Sequence, residues 1–354
     1  MGKIQGEIGS DLNRPTNASL SYTLPHLRST VELEFDANLN ADCWEPLKNN
    51  DKDQGQDQGQ DQKLELSDRG RDRFLAHLNR LKEYFGFNGN FYVRSLNDFP
   101  SDCGLASSAS SFAALTMVAF KALTELTEGL SQGESLGESK GSLHLNNVES
   151  VICTQGISLG GPRFDDKRDL ATQADWSRKG SGSSCRSFFG PWSVWNSDGA
   201  CEVPELSQCV PLFHQVIVVS DLIKNISSSE AHKRVTSSEL FKGRPERAEV
   251  RLRELIRALK SDSWSDAFEI TWAEFWDMHA LFETSKPSFG YMTAGSLEVL
   301  RFVRNEIWGQ EKTGPLVTMD AGPNIHLLYR PEQMHLAKTV SDTFSGRFKV
   351  FETR

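Results

Sequence analysis

Asp102-Cys-Gly-Leu-Ala-Ser-Ser-Ala-Ser-Ser-Phe-Ala-Ala-Leu115 is a turn of small, hydroxyl-bearing residues that runs straight into an apolar segment. Gly104 lets the backbone approach a ligand closely. Ser107, Ser108, Ser110 and Ser111 offer hydroxyl donors, and the unsatisfied N–H groups of a first helical turn favour an anion. Phe112, Leu115, Ala119, Ala122, Leu123 and Leu126 follow at three- and four-residue spacing, which predicts a helix of several turns. Taken alone, the stretch fits two readings: a cradle for phosphate groups, or a helix N-terminus capped by serines and packed through alanines.

Working outward, Ser19–Leu24, Thr30–Phe35 and Asn90–Ser95 read as strands, and Phe74, Leu75, Leu78, Leu81, Tyr84 and Phe85 predict a helix over 71–85. Asp53-Gln-Gly-Gln-Asp-Gln-Gly-Gln-Asp-Gln62 carries no apolar residue and is expected to be a mobile loop, within an insertion near 39–70. A Gly-, Ser- and Glu-rich insertion is expected near 128–147. Beyond it, a polar helix over 165–179 ends at Gly180, and Gln215–Val219 is a continuous apolar strand. Helices follow over 244–260, 272–283 and 296–308, with strands over 316–319 and 325–329. Short strands mixed with helices in two halves fit an α+β architecture.

At 354 residues the chain can bury two cores. A formal net charge of −9 with scattered basic residues argues against nucleic acid as the main partner. Six cysteines show no Cys-x-x-Cys pairing and no zinc-like histidine spacing, so they read as buried free thiols in a reducing compartment. No signal peptide and no apolar run of membrane-spanning length stands out, and a cytoplasmic protein is expected. The histidines form no metal-like cluster, and no metal-binding residue is assigned.

Two further motifs carry chemistry. Gly180-Ser-Gly-Ser-Ser-Cys-Arg-Ser-Phe-Phe-Gly-Pro-Trp192 is a second Gly/Ser turn with one arginine, whose planar fork suits a carboxylate held by two parallel bonds. An ordinary surface ion pair is the alternative. Thr318-Met-Asp-Ala-Gly-Pro-Asn324 places Asp320 between an apolar strand and a turn, where its neighbours can aim it as a general base. Its alternative is an aspartate that caps the turn.

Together with Asn13-Arg-Pro-Thr-Asn-Ala-Ser-Leu-Ser21 and Ser95-Leu-Asn-Asp-Phe-Pro100, these motifs resemble the diphosphomevalonate decarboxylase family of the GHMP kinase superfamily over most of the chain. The resemblance implies a two-domain GHMP kinase-like fold with the active-site cleft between the domains. Residues 1–205 would form a nucleotide- and substrate-binding domain like domain 2 of ribosomal protein S5, and 206–354 the GHMP kinase-like domain. It implies ATP-dependent decarboxylation of mevalonate 5-diphosphate to isopentenyl diphosphate. The alternatives are a relative acting on the monophosphate, a kinase that stops at 3-phosphorylation, and a non-catalytic nucleotide-binding module.

By the same resemblance Asp320 orients or deprotonates the substrate 3-hydroxyl, Lys3 pairs with it, and Arg186 holds the C1 carboxylate. Ser181, Gly182, Ser183, Asn17, Ser227 and Ser228 would meet the substrate; Ser95, Asn97, Gly104, Ser107 and Ser108 would meet ATP. Magnesium would be held mainly through ATP phosphates. Ser238 lies in the same family-like segment, but where the family has Gly-Met-Gln or Gly-Met-Arg this chain has Ala231-His-Lys233, so Lys233 and Arg234 are alternative cations for the diphosphate, and a capped, solvated helix start is the competing reading. The family places a strand ahead of an aromatic-Gly-Lys turn, whereas Met1-Gly2-Lys3 stands at that turn, so the missing first strand is expected upstream. Small-molecule substrates are implied, with neither nucleic acid nor membrane as partner. Oligomeric state is left open, a homodimer included.

Overall fold

The computed structural model describes residues 5–8, 11–24, 27–47, 66, 68–98, 107–131, 151–153, 167–220, 226 and 228–352. In chain order its strands are β1 (Gln5–Ile8), β2 (Asp11–Pro15), β3 (Ser19–Tyr22), β4 (Ser29–Phe35), β5 (Cys43–Pro46), β6 (Phe91–Asn97), β7 (Val151–Cys153), β8 (Trp192–Asn196), β9 (Gly199–Glu202), β10 (Phe213–Val218), β11 (Leu316–Thr318), β12 (Ile325–Tyr329) and β13 (Lys349–Glu352). The helices are α1 (Asp68–Phe85), α2 (Ser107–Ser131), α3 (Lys167–Gly180), α4 (Ser228–Arg234), α5 (Arg244–Lys260), α6 (Trp264–Thr284), α7 (Ala294–Phe302), α8 (Trp308–Glu311) and α9 (Met334–Phe344).

Backbone contacts group residues 27–101 and 107–188 into one unit, and 1–26, 102–106 and 189–354 into another. The division expected at 205/206 is sequential, whereas this grouping attaches β3 and the β8–β9 hairpin to the C-terminal half. The reason is pairing and packing. β3 pairs with β8, and Leu20 and Trp192 share a core with Leu255, Phe268, Ile217 and Leu327.

In the 27–188 unit the sheet order is β5-β6-β4-β7, with β4 antiparallel to β6 and β7, and β5 parallel to β6. Parallel neighbours need a crossover, which α1 supplies between β5 and β6. β5 lies inside the region expected as an insertion, and the Asp53–Gln62 tract falls outside the described residues. Strict alternation in β4 turns Val31, Leu33 and Phe35 toward the apolar faces of α1 and α2. Burial of each such side chain stabilises the fold by about 1.5–3 kcal/mol. Ala113 and Ala114 of α2 are fully buried, which lets its neighbours pack closely. The stretch Ser108–Glu128 does reach membrane-spanning length and hydropathy, contrary to the sequence expectation, yet 72% of its apolar 18-residue window is buried as the core helix of this unit.

The other unit holds the antiparallel sheet β11-β12-β10-β13, the three-stranded antiparallel sheet β3-β8-β9 and the β1–β2 hairpin. β10 lies between β12 and β13, so Val216 and Ile217 are fully buried. Two of the three expected helices have different limits. α6 begins at Trp264, eight residues ahead of expectation, because Ala267, Phe268 and Thr271 continue its buried face. The helix expected over 296–308 is α7 followed by a π turn at Val303–Ile307. The thiols are not uniformly buried: Cys185 is buried, Cys43 and Cys209 are half-buried, and Cys201 is exposed.

Candidate active site

Asp320 sits between β11 and β12 with its side chain exposed, while Met319, Ala321 and Asn324 around it are buried. The turn is built from backbone features that its sequence dictates. Gly322 has φ +84° and is followed by the cis Gly322–Pro323 bond. A Cβ at Gly322 would stand 3.2 Å from Tyr291 Cβ and 3.2 Å from Met319 Cε, so the left-handed residue is also a tightly packed one. Ser296 Oγ donates to the Pro323 carbonyl at 2.7 Å, and Asn324 Oδ1 accepts from the Ser220 amide at 3.1 Å. Asparagine and serine thus hold the turn from beneath and leave the carboxylate on the outside.

The segment over 226–235 packs against this turn. Ala231, Val235, Tyr291, Phe282 and Ala321 form one apolar cluster, and the Tyr291 hydroxyl donates to the Ile226 carbonyl at 2.8 Å. Burial, and after it the charge of Asp320, push the Tyr291 phenol up to about 12, with the Arg234 guanidinium pulling the other way. The hydroxyl therefore stays protonated and donates throughout the physiological range. Ser238 does not face a ligand: it is buried, bonds Thr284 Oγ1 at 2.6 Å and caps the next turn by accepting from the Leu240 amide at 3.1 Å. Arg234 is engaged by Glu230 at 2.7 Å, one helical turn away, whereas Lys233 is exposed. Ser228 opens α4. Asn17 is buried, and its Nδ2 donates to the Ala18 carbonyl at 2.8 Å.

The serines of 107–111 and 181–187 belong to the other unit. Of the four serines expected as phosphate donors, Ser110 points inward, to Ser29 Oγ at 2.6 Å, and Ser111 donates to Asn97 Oδ1 at 3.0 Å. Asn97 Oδ1 also accepts from Ser29 at 2.5 Å, and Ser95 Oγ accepts from the Trp44 indole at 2.9 Å. These four side chains knit α2 to β4 and β6. They turned inward because helical spacing sets Ser110 and Ser111 on the face that meets the sheet. Ser108 remains exposed, and its hydroxyl lies 3.3 Å from that of Ser181, so the first turn of α2 meets the second Gly/Ser segment.

Ser181 and Gly182 are buried, and Ser183 and Arg186 are half-buried, on a 3-10 turn over Gly182–Phe188. The turn is anchored by Ser184, whose Oγ donates to the Ser181 carbonyl at 2.6 Å and accepts from Ser177 at 2.5 Å. Gly180 is required ahead of it, because a Cβ there would lie 2.2 Å from the Phe112 ring. Behind the turn His77 is fully buried. Thr116 spends its proton on the Phe112 carbonyl, so His77 Nε2 donates to Thr116 Oγ1 at 2.9 Å. Burial, reinforced by Arg80 and Lys179, lowers the His77 pKa to about 3 and keeps the ring neutral.

Ser107 is the first residue of α2, and Lys3, Gly104 and Ser227 lie outside the described residues. Sequence reasoning missed His279 and Tyr291. His279 Nε2 lies 3.2 Å from the Asp320 carbonyl oxygen. In sequence it is only a lone histidine among the aromatic residues of an apolar helix face, which carries no signal of function.

Two family models match the chain: the diphosphomevalonate decarboxylase-like N-terminal domain over residues 2–134, and the mevalonate 5-diphosphate decarboxylase C-terminal domain over 215–352. The solved mevalonate diphosphate decarboxylase of Legionella pneumophila is 38% identical, with a TM-score of 0.75, covering 98% of this chain and 94% of that one. The diphosphomevalonate decarboxylase of Saccharomyces cerevisiae is 28% identical over 99% of this chain and 78% of its own length. A protein designated MDDEF, solved in complex with MVAPP, AMPPCP and magnesium, shares the fold at 24% identity and a TM-score of 0.74, covering 99% of this chain and 95% of that one. With both halves matched in order and a relative of this identity aligned nearly end to end, the chain belongs to the diphosphomevalonate decarboxylase family.

Proposed function

We propose that this protein catalyses the ATP-dependent decarboxylation of mevalonate 5-diphosphate to isopentenyl diphosphate, releasing ADP, phosphate and CO2, and that it does so in the cytoplasm. The observation that carries the reading is the match at 38% identity across 98% of the chain to a mevalonate diphosphate decarboxylase. Asp320 takes or orients the proton of the 3-hydroxyl, whose oxygen attacks the γ-phosphoryl group and displaces ADP. Its exposed carboxylate over a buried backbone supports that role, since a base must reach substrate yet stay fixed.

The new phosphate then leaves C3 with its bonding pair. The electrons of the C1–C2 bond close the C2–C3 double bond, and C1 departs as CO2. Arg186 holds that carboxylate through its planar fork, with Ser181, Gly182 and Ser183 beside it on one turn. Asn17, Ser227 and Ser228 serve the substrate, and Lys3 pairs with Asp320. Ser107, Ser108 and Gly104 serve the ATP phosphates at the start of α2. Asn97 acts from behind, through the Ser111 bond that seats that helix, and Ser95 from the neighbouring strand, where it holds Trp44.

Magnesium would be carried mainly by the phosphate oxygens of ATP and by water. Bound in that way it would neutralise charge on the transferring phosphoryl group.

The test is parallel turnover of mevalonate 5-diphosphate and mevalonate 5-phosphate with ATP, reading ADP and CO2 separately. Equal yields of ADP and CO2 from the diphosphate are expected. ADP without CO2 would make the protein a 3-kinase, and preference for the monophosphate would overturn the substrate assignment.

A further inference from the structure

The Asp320 turn has a buried contact that the reaction scheme leaves unused. His279, on α6, is 3% exposed, and its Nε2 stands 3.2 Å from the carbonyl oxygen of Asp320, forty-one residues away in sequence. A carbonyl only accepts, so the ring carries its proton on Nε2 and donates it. The imidazole is held in place on several sides. Phe282 meets it edge-to-face at 5.1 Å and Phe275 at 6.4 Å, and its Cε1 would lie 3.4 Å from a Cβ placed on Gly322. Its immediate neighbours Phe275, Met278 and Phe282 are apolar and buried, so the imidazole is a polar group set in an apolar surround.

We propose that His279 is a positioning residue that fixes the backbone of Asp320 and so aims its carboxylate. The bond falls on the residue that carries the acid itself, where small rotations of the peptide swing the carboxylate most. Ser296 and Asn324 hold the far side of the same turn, through Pro323 and the Ser220 amide. His279 holds the Asp320 carbonyl itself. Tyr291 lies beside the same glycine, its Cβ 3.2 Å from where a Cβ on Gly322 would stand, and completes the seat. The effect on turnover rests on the function proposed above, whereas the effect on the turn does not.

His279→Leu removes the donor and keeps the bulk, and His279→Gln returns an amide N–H at the reach of Nε2. With mevalonate 5-diphosphate and ATP, His279→Leu is expected to lower kcat about tenfold with both KM values within about twofold, because misaiming a positioned group acts on the chemical step. His279→Gln should recover most of the loss. In an Asp320→Asn background, His279→Leu should cost less than about twofold, since the group it aims is gone. Independently of activity, amide hydrogen exchange over 318–324 should quicken in His279→Leu and return in His279→Gln. Unchanged exchange, an equal kcat loss in both backgrounds, or equal losses for Leu and Gln would each overturn the proposal. If the wild-type protein releases no CO2, the activity assignment fails and the exchange measurement still decides the role of His279. Should His279→Leu not fold, His279→Asn replaces it, its amide falling one bond short.

Discussion

Two carboxylates in the same unit, Asp277 and Asp320, are treated in opposite ways. Asp277 on α6 is ringed by Arg244, Arg247 and Arg251 of α5, at 3.2, 2.9 and 2.6 Å, and those guanidiniums hold its pKa down at about 2 despite burial. Glu274, one turn away, bonds Arg244 through both of its oxygens, and Arg244 is fully buried. Asp320 is exposed, and it is its backbone that is held, by His279 and by the buried turn around it. Charge density is therefore a poor guide to chemistry here. The densest cluster of charges clamps two helices together, whereas the acid at the proposed active site has its main chain fixed and its side chain left accessible.

The comparison breaks first at Glu274. Glu274→Gln should cost about 3–5 kcal/mol of stability, because Arg244 would keep a buried charge with its bidentate partner weakened. Denaturant titration should show this, and kcat per folded molecule should stay within about twofold of wild type. A variant that loses turnover while keeping its stability would place the network in the chemistry. Asp320→Asn should do the reverse: kcat falls at least ~10²-fold, with little change in KM or melting temperature. Near-normal turnover in the folded variant would remove Asp320 from the proposed mechanism.

Arginines extend the contrast to the other unit. Arg186→Lys keeps the charge and loses the fork, so kcat/KM for mevalonate 5-diphosphate should drop by about 1.5–3 kcal/mol while ATP binding survives. Loss of nucleotide affinity with substrate affinity intact would move the residue to the ATP side. A further effect is in pH. His77 has a folded pKa of about 3, below its ordinary 6.5, so the unfolded chain binds a proton that the folded one excludes. Stability present above pH 6.5 is lost as pH falls toward 3, by about 1.4 kcal/mol per unit. Asp277 contributes later, between its ordinary 3.8 and about 2. His77→Gln should flatten the first window and leave the second, and an unchanged slope between pH 6.5 and 4.5 would show that His77 is not the group responsible.

Much of this was legible in the residues. Arg244–Lys260 and Ile325–Tyr329 have the limits their spacing predicts, and β4 alternates as Val31-Glu-Leu-Glu-Phe35 requires. The short β5, β8, β9 and β13 were not legible, because four or five residues leave too little alternation to tell a strand from a loop. α9 was missed although Leu336, Ala337, Val340 and Phe344 sit at helical spacing on its buried face.

By itself the sequence determined the local chemistry: which turns need glycine, which helix faces are apolar, and which motifs tie the chain to its family. Periodicity and turn residues act over a few positions, so they are readable without a partner. Only the tertiary structure decided what each polar group was used for. Ser110 meets Ser29 across 81 positions and is taken up in seating a helix, His279 meets Asp320 across 41, and Arg244 disappears between helices against Glu274. A buried polar group must find its hydrogen bond wherever packing provides one, and that choice is made by the whole core and not by neighbours in the chain.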